Sequence, residues 1–168
     1  MSLLNAARRV AHLLAQTNHR IVFAESCTAG LVAASLSRIP GISAWHCGGM
    51  VTYRSETKTA WLGVEPKVIQ RFGPVSEVVA RQMAEGVLAR TPEATIAAAV
   101  TGHLGPQAPA NLDGMVYIVV SSYEEARSTS PSQITSTLQL ALPKDEDRTA
   151  RQRLAAEAVL LLVAKHLE

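Results

Sequence analysis

Cysteine is scarce in this chain. Cys27 and Cys47 are its only two, too few for a disulfide framework, and no Cys-x-x-Cys pair sets out a zinc site, so no metal is expected. Charge of one sign is also lacking. Lys and Arg number 16 against 14 Asp and Glu, a formal balance of +2, which argues against a nucleic-acid partner held by phosphate contacts. No apolar run approaches the roughly 20 residues of a membrane span, so no membrane partner is expected. Residues 1–9 show neither the basic head nor the long apolar block of a secretory signal, and a cytoplasmic protein is expected. No Gly-x-Gly-x-x-Gly follows the first apolar strand, which removes a Rossmann dinucleotide site. Repeats, linkers and low-complexity stretches are missing as well. What remains, at 168 residues with 48% apolar and 18% charged content, is one globular domain over 1–168.

Periodicity orders that domain. Leu3, Ala7, Val10 and Leu14 recur at helical spacing and predict an amphipathic helix over 2–17. Further helices are expected from Gly30 to near Arg38, over 55–62 with Ser55 as cap, and from Pro66 to about Phe72. A longer helix follows Ser76, with Val79, Met83, Gly86 and Val87 as its buried stripe, and ends at Thr91-Pro92. The last helix starts near Asp145 and is expected to bury Leu154, Ala158 and Leu161. Strands are expected at 21–24, 48–53, 94–100, 114–121 and 133–141. The alanines of 94–100 favour a helix, so that strand rests on the breakers Pro92 and Gly102. Strands alternating with helices give an α/β protein, a three-layer α/β/α sandwich. Its five-stranded sheet is mixed and mostly parallel, with the antiparallel element in the last two strands.

The richest chemistry lies where the first strand turns into a helix, at Glu25-Ser26-Cys27-Thr28-Ala29-Gly30. Free N–H groups at a helix start favour developing negative charge, so a hydroxyl here can attack a carbonyl while N–H groups hold the oxyanion. Ser26 or Thr28 serving only as helix cap is the plainer alternative. In open α/β sheets ligands bind beyond the carboxyl ends of parallel strands. If the first three strands run parallel, the loop 25–28, the segment from Tyr53 to Lys58 and the loop 101–106 converge, and Ser26, Tyr53 and Lys58 meet. A serine with a lysine base is a known variation on the catalytic triad. It needs a neutral lysine, hence burial or a neighbouring cation.

A set of short segments then carries a resemblance. Ala24-Glu25-Ser26-Cys27-Thr28-Ala29-Gly30, Pro40-Gly41-Ile42-Ser43-Ala44-Trp45 and Gly49-Met50-Val51-Thr52-Tyr53-Arg54-Ser55-Glu56-Thr57-Lys58 come first. Leu62-Gly63-Val64, Gly73-Pro74-Val75-Ser76-Glu77, Met83-Ala84-Glu85-Gly86, Val100-Thr101-Gly102 and Asp147-Arg148 follow in order. Together they resemble the CinA C-terminal domain family, whose members include nicotinamide-mononucleotide deamidases. The resemblance implies a nicotinamide-nucleotide amidohydrolase that converts the carboxamide of nicotinamide mononucleotide to the acid and ammonia. It implies Ser26 as nucleophile, Tyr53 and Lys58 as the Tyr–Lys pair, and Thr28 and Gly30 in the nucleophile turn. Thr101 and Gly102 would line the pocket, with Arg148 near the final helix. A homodimer and no cofactor are implied too.

Several assignments stay open at this level. Lys58 alone reads more readily as a solvated surface lysine, and Tyr53 alone as a core or edge aromatic with one satisfied hydroxyl. Cys27 reads as a small inert core residue rather than a nucleophile. His12 and His166 read as surface residues of the terminal helices. Glu25 either holds the turn or orients Lys58, and His103 either contacts the substrate or replaces a smaller residue. Arg148 and Arg151 sit at a helix start, where the dipole disfavours a cation, which fits anion binding better than capping. The loop Thr101-Gly102-His103-Leu104-Gly105-Pro106-Gln107-Ala108-Pro109 departs from the family's Thr-Gly-x-Ala-Gly-Pro-Gly-Gly, and Leu112-Asp113-Gly114-Met115-Val116 departs from its Pro-Val-Gly-Thr-Val. That departure motivates a rival function, a non-catalytic nucleotide-binding or interaction module on the same fold.

Overall fold

The computed structural model describes residues 1–109, 111–123 and 133–168. Strands β1 (Ile21–Glu25), β2 (His46–Val51), β3 (Ile96–Gly102), β4 (Met115–Tyr123) and β5 (Gln133–Ala141) form one sheet in the order β2-β1-β3-β4-β5. β1 pairs in parallel with β2 and β3, whereas β4 is antiparallel to both β3 and β5. Four of the five strands therefore point the same way. β4 and β5 need no helix between them because antiparallel neighbours do not require a crossover.

Helices cover both faces. On one side α1 (Leu3–Thr17), α2 (Leu31–Ser37) and α6 (Arg148–Leu167) pack together over Ile21, Phe23, Ile96, Ala98, Val100 and Ile118. On the other, α5 (Glu77–Ala89) covers Val22, Ala24, Ala97, Ala99 and Val119, with α3 (Ser55–Leu62) and α4 (Pro66–Phe72) beside it. Alternate residues of β1 and β3 thus feed two separate cores, as the period of two requires. All five residues of β1 are buried. The alanines of β3 form a strand because both their faces lie under helices, and tertiary burial overrides their helical propensity.

Local chemistry sets most boundaries. Ser2 accepts from Asn5 N to start α1, and Asn18 ends it in the left-handed region at φ 56°. Pro66 opens α4, and Ser76 accepts from Val79 N to cap α5. Val79, Met83, Gly86 and Val87 are buried as their spacing predicts. Gly86 lets α5 approach the end of α3 closely, since a Cβ there would sit 1.9 Å from the Leu62 carbonyl oxygen.

Other expectations need correction. Ser55 is the first residue of α3 and Arg54 occupies the cap position. β2 starts and ends earlier than 48–53, leaving Tyr53 beyond the strand. β3 runs on to Gly102 because Thr101 and Gly102 pair with Tyr117 and Val116. α6 is rotated from the expected stripe: its buried residues include Ala155, Ala156, Val159, Leu160 and Val163. Leu154, Ala158 and Leu161 instead line an open apolar groove with Leu138 and Leu140 of β5. His166 is half-buried, sharing hydrogen bonds of 2.8 Å with Ser122 Oγ and Ser136 Oγ. His12 is exposed. Among the described residues, no helix is long and apolar enough to cross a membrane.

The turn from β1 to α2 has an unusual anchor. The Glu25 side chain, 1% exposed, accepts from Thr28 Oγ1 at 2.6 Å, Gly30 N at 3.0 Å, Val32 N at 3.1 Å and Ala33 N at 2.9 Å. Neither Ser26 nor Thr28 caps the helix. A carboxylate five residues upstream of the cap position satisfies the orphan amides and meets the positive end of the dipole. Ala29 at φ 52° and Gly30 at φ 95° bend the chain back to allow it.

Two stability predictions follow from these contacts. Gly86→Ala should cost about 3 kcal/mol, because α5 must separate from Leu62 to admit a methyl group. Glu25→Gln should cost a similar amount, about 3 kcal/mol, since an NH2 group would face amide donors in place of a charged acceptor. Urea unfolding of each purified variant measures both.

Candidate active site

The three parallel strands β2, β1 and β3 end on the same side of the sheet, and their loops enclose a cavity of about 410 Å³. Ser26 follows β1 directly. Its N–H donates to Val100 O at 3.0 Å, which extends the β1–β3 ladder by one residue and holds the hydroxyl at the cavity floor. Thr52 N donates to Glu25 O at 2.8 Å and does the same for β2. α3 then begins, and one turn in, Lys58 points back under the sheet end. Its Nζ donates to Ser26 Oγ at 2.9 Å and to Thr52 O at 3.0 Å.

Lys58 is 2% exposed, which settles the alternative of a solvated lysine. Desolvation by burial brings its pKa down from 10.5 to about 8. No carboxylate pairs with Lys58 among the described residues to favour the charged form. Burial pushes the Cys27 thiol up to about 12. Burial thus disfavours the Cys27 thiolate, and the group of the turn that Lys58 Nζ contacts is the Ser26 hydroxyl.

Tyr53 lines the cavity but stands apart from this pair. It is 54% exposed, and its hydroxyl accepts from Arg148 Nη2 at 2.7 Å. Arg148 Nη1 donates to Gly105 O. Arg148 thus ties the 53–58 segment to the 101–106 loop across the mouth. Arg54, Ser55, Glu56, Pro74 and Val75 also line the cavity, as does the 104–108 segment. Thr101, 1% exposed, lines it too and donates through Oγ1 to Pro74 O at 2.8 Å. Gly102 is needed where it stands: a Cβ would lie 2.8 Å from Met115 O.

The geometry separates the expected site residues into two groups. Ser26, Lys58, Tyr53, Thr101, Gly102, His103 and Arg148 line the cavity. Glu25, Thr28 and Gly30 do not. Glu25 is consumed by the turn, Thr28 Oγ1 donates to it, and Gly30 supplies the left-handed cap residue. Glu25 therefore holds the turn and does not contact Lys58. Arg151 is structural as well: it is 5% exposed and bonds Asp113 Oδ1 at 2.7 Å, Pro143 O, Lys144 O and Leu104 O.

The altered loop is absorbed by those same contacts. Leu104 packs into the sheet–helix core and also lines the cavity, together with Pro106, Gln107 and Ala108 of the same loop. Asp113, where the family pattern has another residue, is the ion-pair partner of Arg151. His103 lies half-buried at the cavity wall, its N–H bonded to Met115 O. No cluster of three His, Cys, Asp or Glu side chains suited to a metal occurs among the described residues.

Two features had no sequence signal. The Thr52 carbonyl is a main-chain acceptor and invisible to residue type. Gln152, one turn into α6, donates through Nε2 to Thr28 O at 3.1 Å and to Cys27 O at 3.4 Å, reaching across 124 and 125 positions of sequence.

Comparisons with known proteins agree with this architecture. The model of the CinA C-terminal domain matches residues 4–167. A CinA-like protein of Acidobacterium capsulatum is 36% identical over 160 residues, covering 94% of this chain and 36% of that protein. A CinA-like protein of Mycobacterium marinum is 52% identical over 97 residues, or 58% of this chain and 22% of the other. The chain thus spans only 22% to 36% of the length of these curated relatives. Among solved structures, the competence/damage inducible protein CihA from Agrobacterium tumefaciens superposes with a TM-score of 0.84 at 30% identity, covering 97% of this chain and 94% of that one. The competence damage-inducible protein A from Klebsiella pneumoniae gives 0.87 at 26% identity, covering 99% and 98%. With nearly its whole length matched by the family model, the chain belongs to the CinA C-terminal domain family.

Proposed function

We propose that this domain is a serine amidohydrolase that hydrolyses the carboxamide of nicotinamide mononucleotide to nicotinate mononucleotide and ammonia. The observation that carries the reading is the Lys58 amine, buried and with its pKa lowered to about 8, at 2.9 Å from Ser26 Oγ. A neutral amine keeps one lone pair and two N–H groups. It can take the Ser26 proton while still donating to Thr52 O, whose bond of 3.0 Å holds it in place.

The reaction balances with these groups alone. Ser26 Oγ attacks the carboxamide carbon, and its proton passes to Lys58 Nζ. Collapse of the tetrahedral intermediate breaks the C–N bond, and Lys58 returns the proton to the leaving nitrogen as ammonia. Water then attacks the acyl-serine, Lys58 again taking the proton, and the acid leaves with Ser26 restored. The oxyanion needs donors beside Ser26. Within the turn 26–31, the N–H groups of Cys27 and Thr28 are the two with no protein acceptor among the described residues.

Tyr53 has a different part from a relay between Ser26 and Lys58. The Lys58–Ser26 bond is direct, and the Tyr53 hydroxyl is engaged by Arg148. Tyr53 and Arg148 form the mouth, where a guanidinium suits the nucleotide phosphate.

Ammonia release from nicotinamide mononucleotide, beside a binding assay with the same nucleotide, tests the reading. Turnover supports it; binding without ammonia favours the non-catalytic module. Ser26→Ala should lose at least about 1000-fold in kcat/KM with the fold intact by circular dichroism, and Lys58→Ala should lose about as much, because the pair acts as one unit. Lys58→Arg should fail nearly as badly, since a guanidinium cannot serve as a base. Near-wild-type turnover of Lys58→Arg would move the base elsewhere, with His103 the first candidate.

The pH profile is a second check. Only neutral Lys58 accepts a proton, so kcat/KM should rise with pH and level off above a midpoint near 8. The same shift works on stability. Between pH 8 and 10.5 the unfolded chain holds the lysine proton more tightly than the native one, so this contribution to stability grows as pH rises through that window. A rate profile flat from pH 6 to 9 would rule out Lys58 as the base.

A further inference from the structure

We propose that Gln152 is a positioning residue for the oxyanion donors, acting through the backbone of the nucleophile turn. It does not line the cavity. Its Nε2 reaches the turn from α6 and donates to two successive carbonyls, Thr28 O at 3.1 Å and Cys27 O at 3.4 Å.

In a trans peptide the C=O and N–H groups of one unit point in opposite directions. Holding the Cys27 carbonyl toward α6 therefore directs the Thr28 N–H away from α6. That N–H has no protein acceptor among the described residues, although Thr28 is 1% exposed. A buried amide left without a partner is rare and marks either strain or a ligand. The next peptide unit is braced from both sides: Gln152 holds the Thr28 carbonyl, and the Ala29 N–H on the same unit donates to Ser26 O at 3.0 Å. Leu31 N–H also donates to Thr28 O at 3.1 Å, so the second plane has main-chain support of its own, and the Cys27–Thr28 plane is the one that depends on Gln152.

The turn needs such a brace. Ala29 sits at φ 52°, a conformation that L residues other than glycine adopt at a cost of about 1 kcal/mol. Rotation of the 27–28 or 28–29 peptide would relieve that strain and swing an amide out of place. Glu25 anchors the amides from Gly30 onward, and Val100 O anchors Ser26 N. Between those anchors, Gln152 is the one side chain among the described residues that bonds the main chain of Cys27 or Thr28.

This inference rests on the serine-hydrolase reading, and its test separates the two. Gln152→Met keeps the length and removes the donor; Gln152→Lys restores one. Two reactions are followed for each: ammonia release from nicotinamide mononucleotide, and the nitrophenolate burst when p-nitrophenyl acetate acylates Ser26. For Gln152→Met, kcat and the acylation rate should fall about 10- to 100-fold with KM within twofold, as for a donor displaced rather than deleted. Gln152→Lys should recover most of the loss. If Gln152→Met does not fold, Gln152→Glu, equal in shape and repelled by both carbonyls, takes its place. Unchanged kcat in the donor-less variant overturns the proposal, as does a loss that appears in KM or is not rescued by lysine. A wild-type protein that gives the burst but no ammonia loses its nucleotide substrate, and Gln152 is then judged by the same criteria on the burst. A wild-type protein that gives neither overturns both.

Discussion

The carboxylate of Glu25 determines more of this molecule than any other single group. It closes β1, is buried, and gathers one hydroxyl and three amides of the segment that follows. An uncompensated buried charge would be costly. Here the compensation comes from the helix it starts, so the strand cannot continue and the helix cannot begin elsewhere. The consequence reaches Ser26, which sits between the last ladder bond to Val100 and the first left-handed residue at Ala29. A serine in that interval has no helix to cap. Its hydroxyl is left for the cavity, and the two amides after it have no protein acceptor among the described residues.

Lys58 is the second dependency, and it works through an absence. Most buried amines find a carboxylate, which would keep them charged. Glu25, at the end of β1, is already engaged by the turn into α2. Lys58 is left with a hydroxyl and a carbonyl, both neutral. The drop from 10.5 to about 8 disfavours the ammonium by about 3 kcal/mol at the 1.4 kcal/mol per pH unit of a pKa shift. About a tenth of the molecules then carry a neutral amine at pH 7, against well under a thousandth for an ordinary lysine. Glu25 does not touch Lys58: its carboxylate is taken up by the hydroxyl and amides of the turn.

Much of this was legible from residue types. The alternation of strands and helices, the breakers at Pro40-Gly41 and Pro92, and the cap at Ser76 placed the elements. The order of strand-end loops brought Ser26 and Lys58 together once β1, β2 and β3 proved parallel. Failures arose where a tertiary partner decides. In α6, Leu154, Ala158 and Leu161 have the spacing of a buried stripe, but Ala155, Val159 and Leu160 offer an equally apolar one, and packing against α1 and α2 selects it. His166 looked terminal and exposed because its two serine partners lie on β4 and β5. Glu25 and Gln152 act on backbone groups, which leave no trace in residue identity. Arg151 read as an anion ligand, yet it is enclosed by three carbonyls and Asp113.

That assignment of Arg151 sharpens the role left to Arg148. One arginine at the start of α6 is spent on holding the 104–113 loop; the other crosses the cavity mouth with Tyr53. On the reading of nicotinamide mononucleotide as substrate, its phosphate must bind without recharging Lys58. A unit negative charge 4 Å from the amine would favour the ammonium by about 4 kcal/mol at an effective dielectric near 20, which would cancel the whole desolvation shift. At 10 Å the same charge contributes about 1.7 kcal/mol, and a guanidinium beside it offsets much of that. The distance between the scissile amide and the phosphate is therefore as much a part of the base chemistry as the burial of Lys58. A nucleotide satisfies it by putting a pyridine ring and a ribose between the two groups. On the proposed reading, a short anionic amide would bring its charge to the floor of the cavity and recharge Lys58, so the site would discriminate by electrostatics as well as by shape.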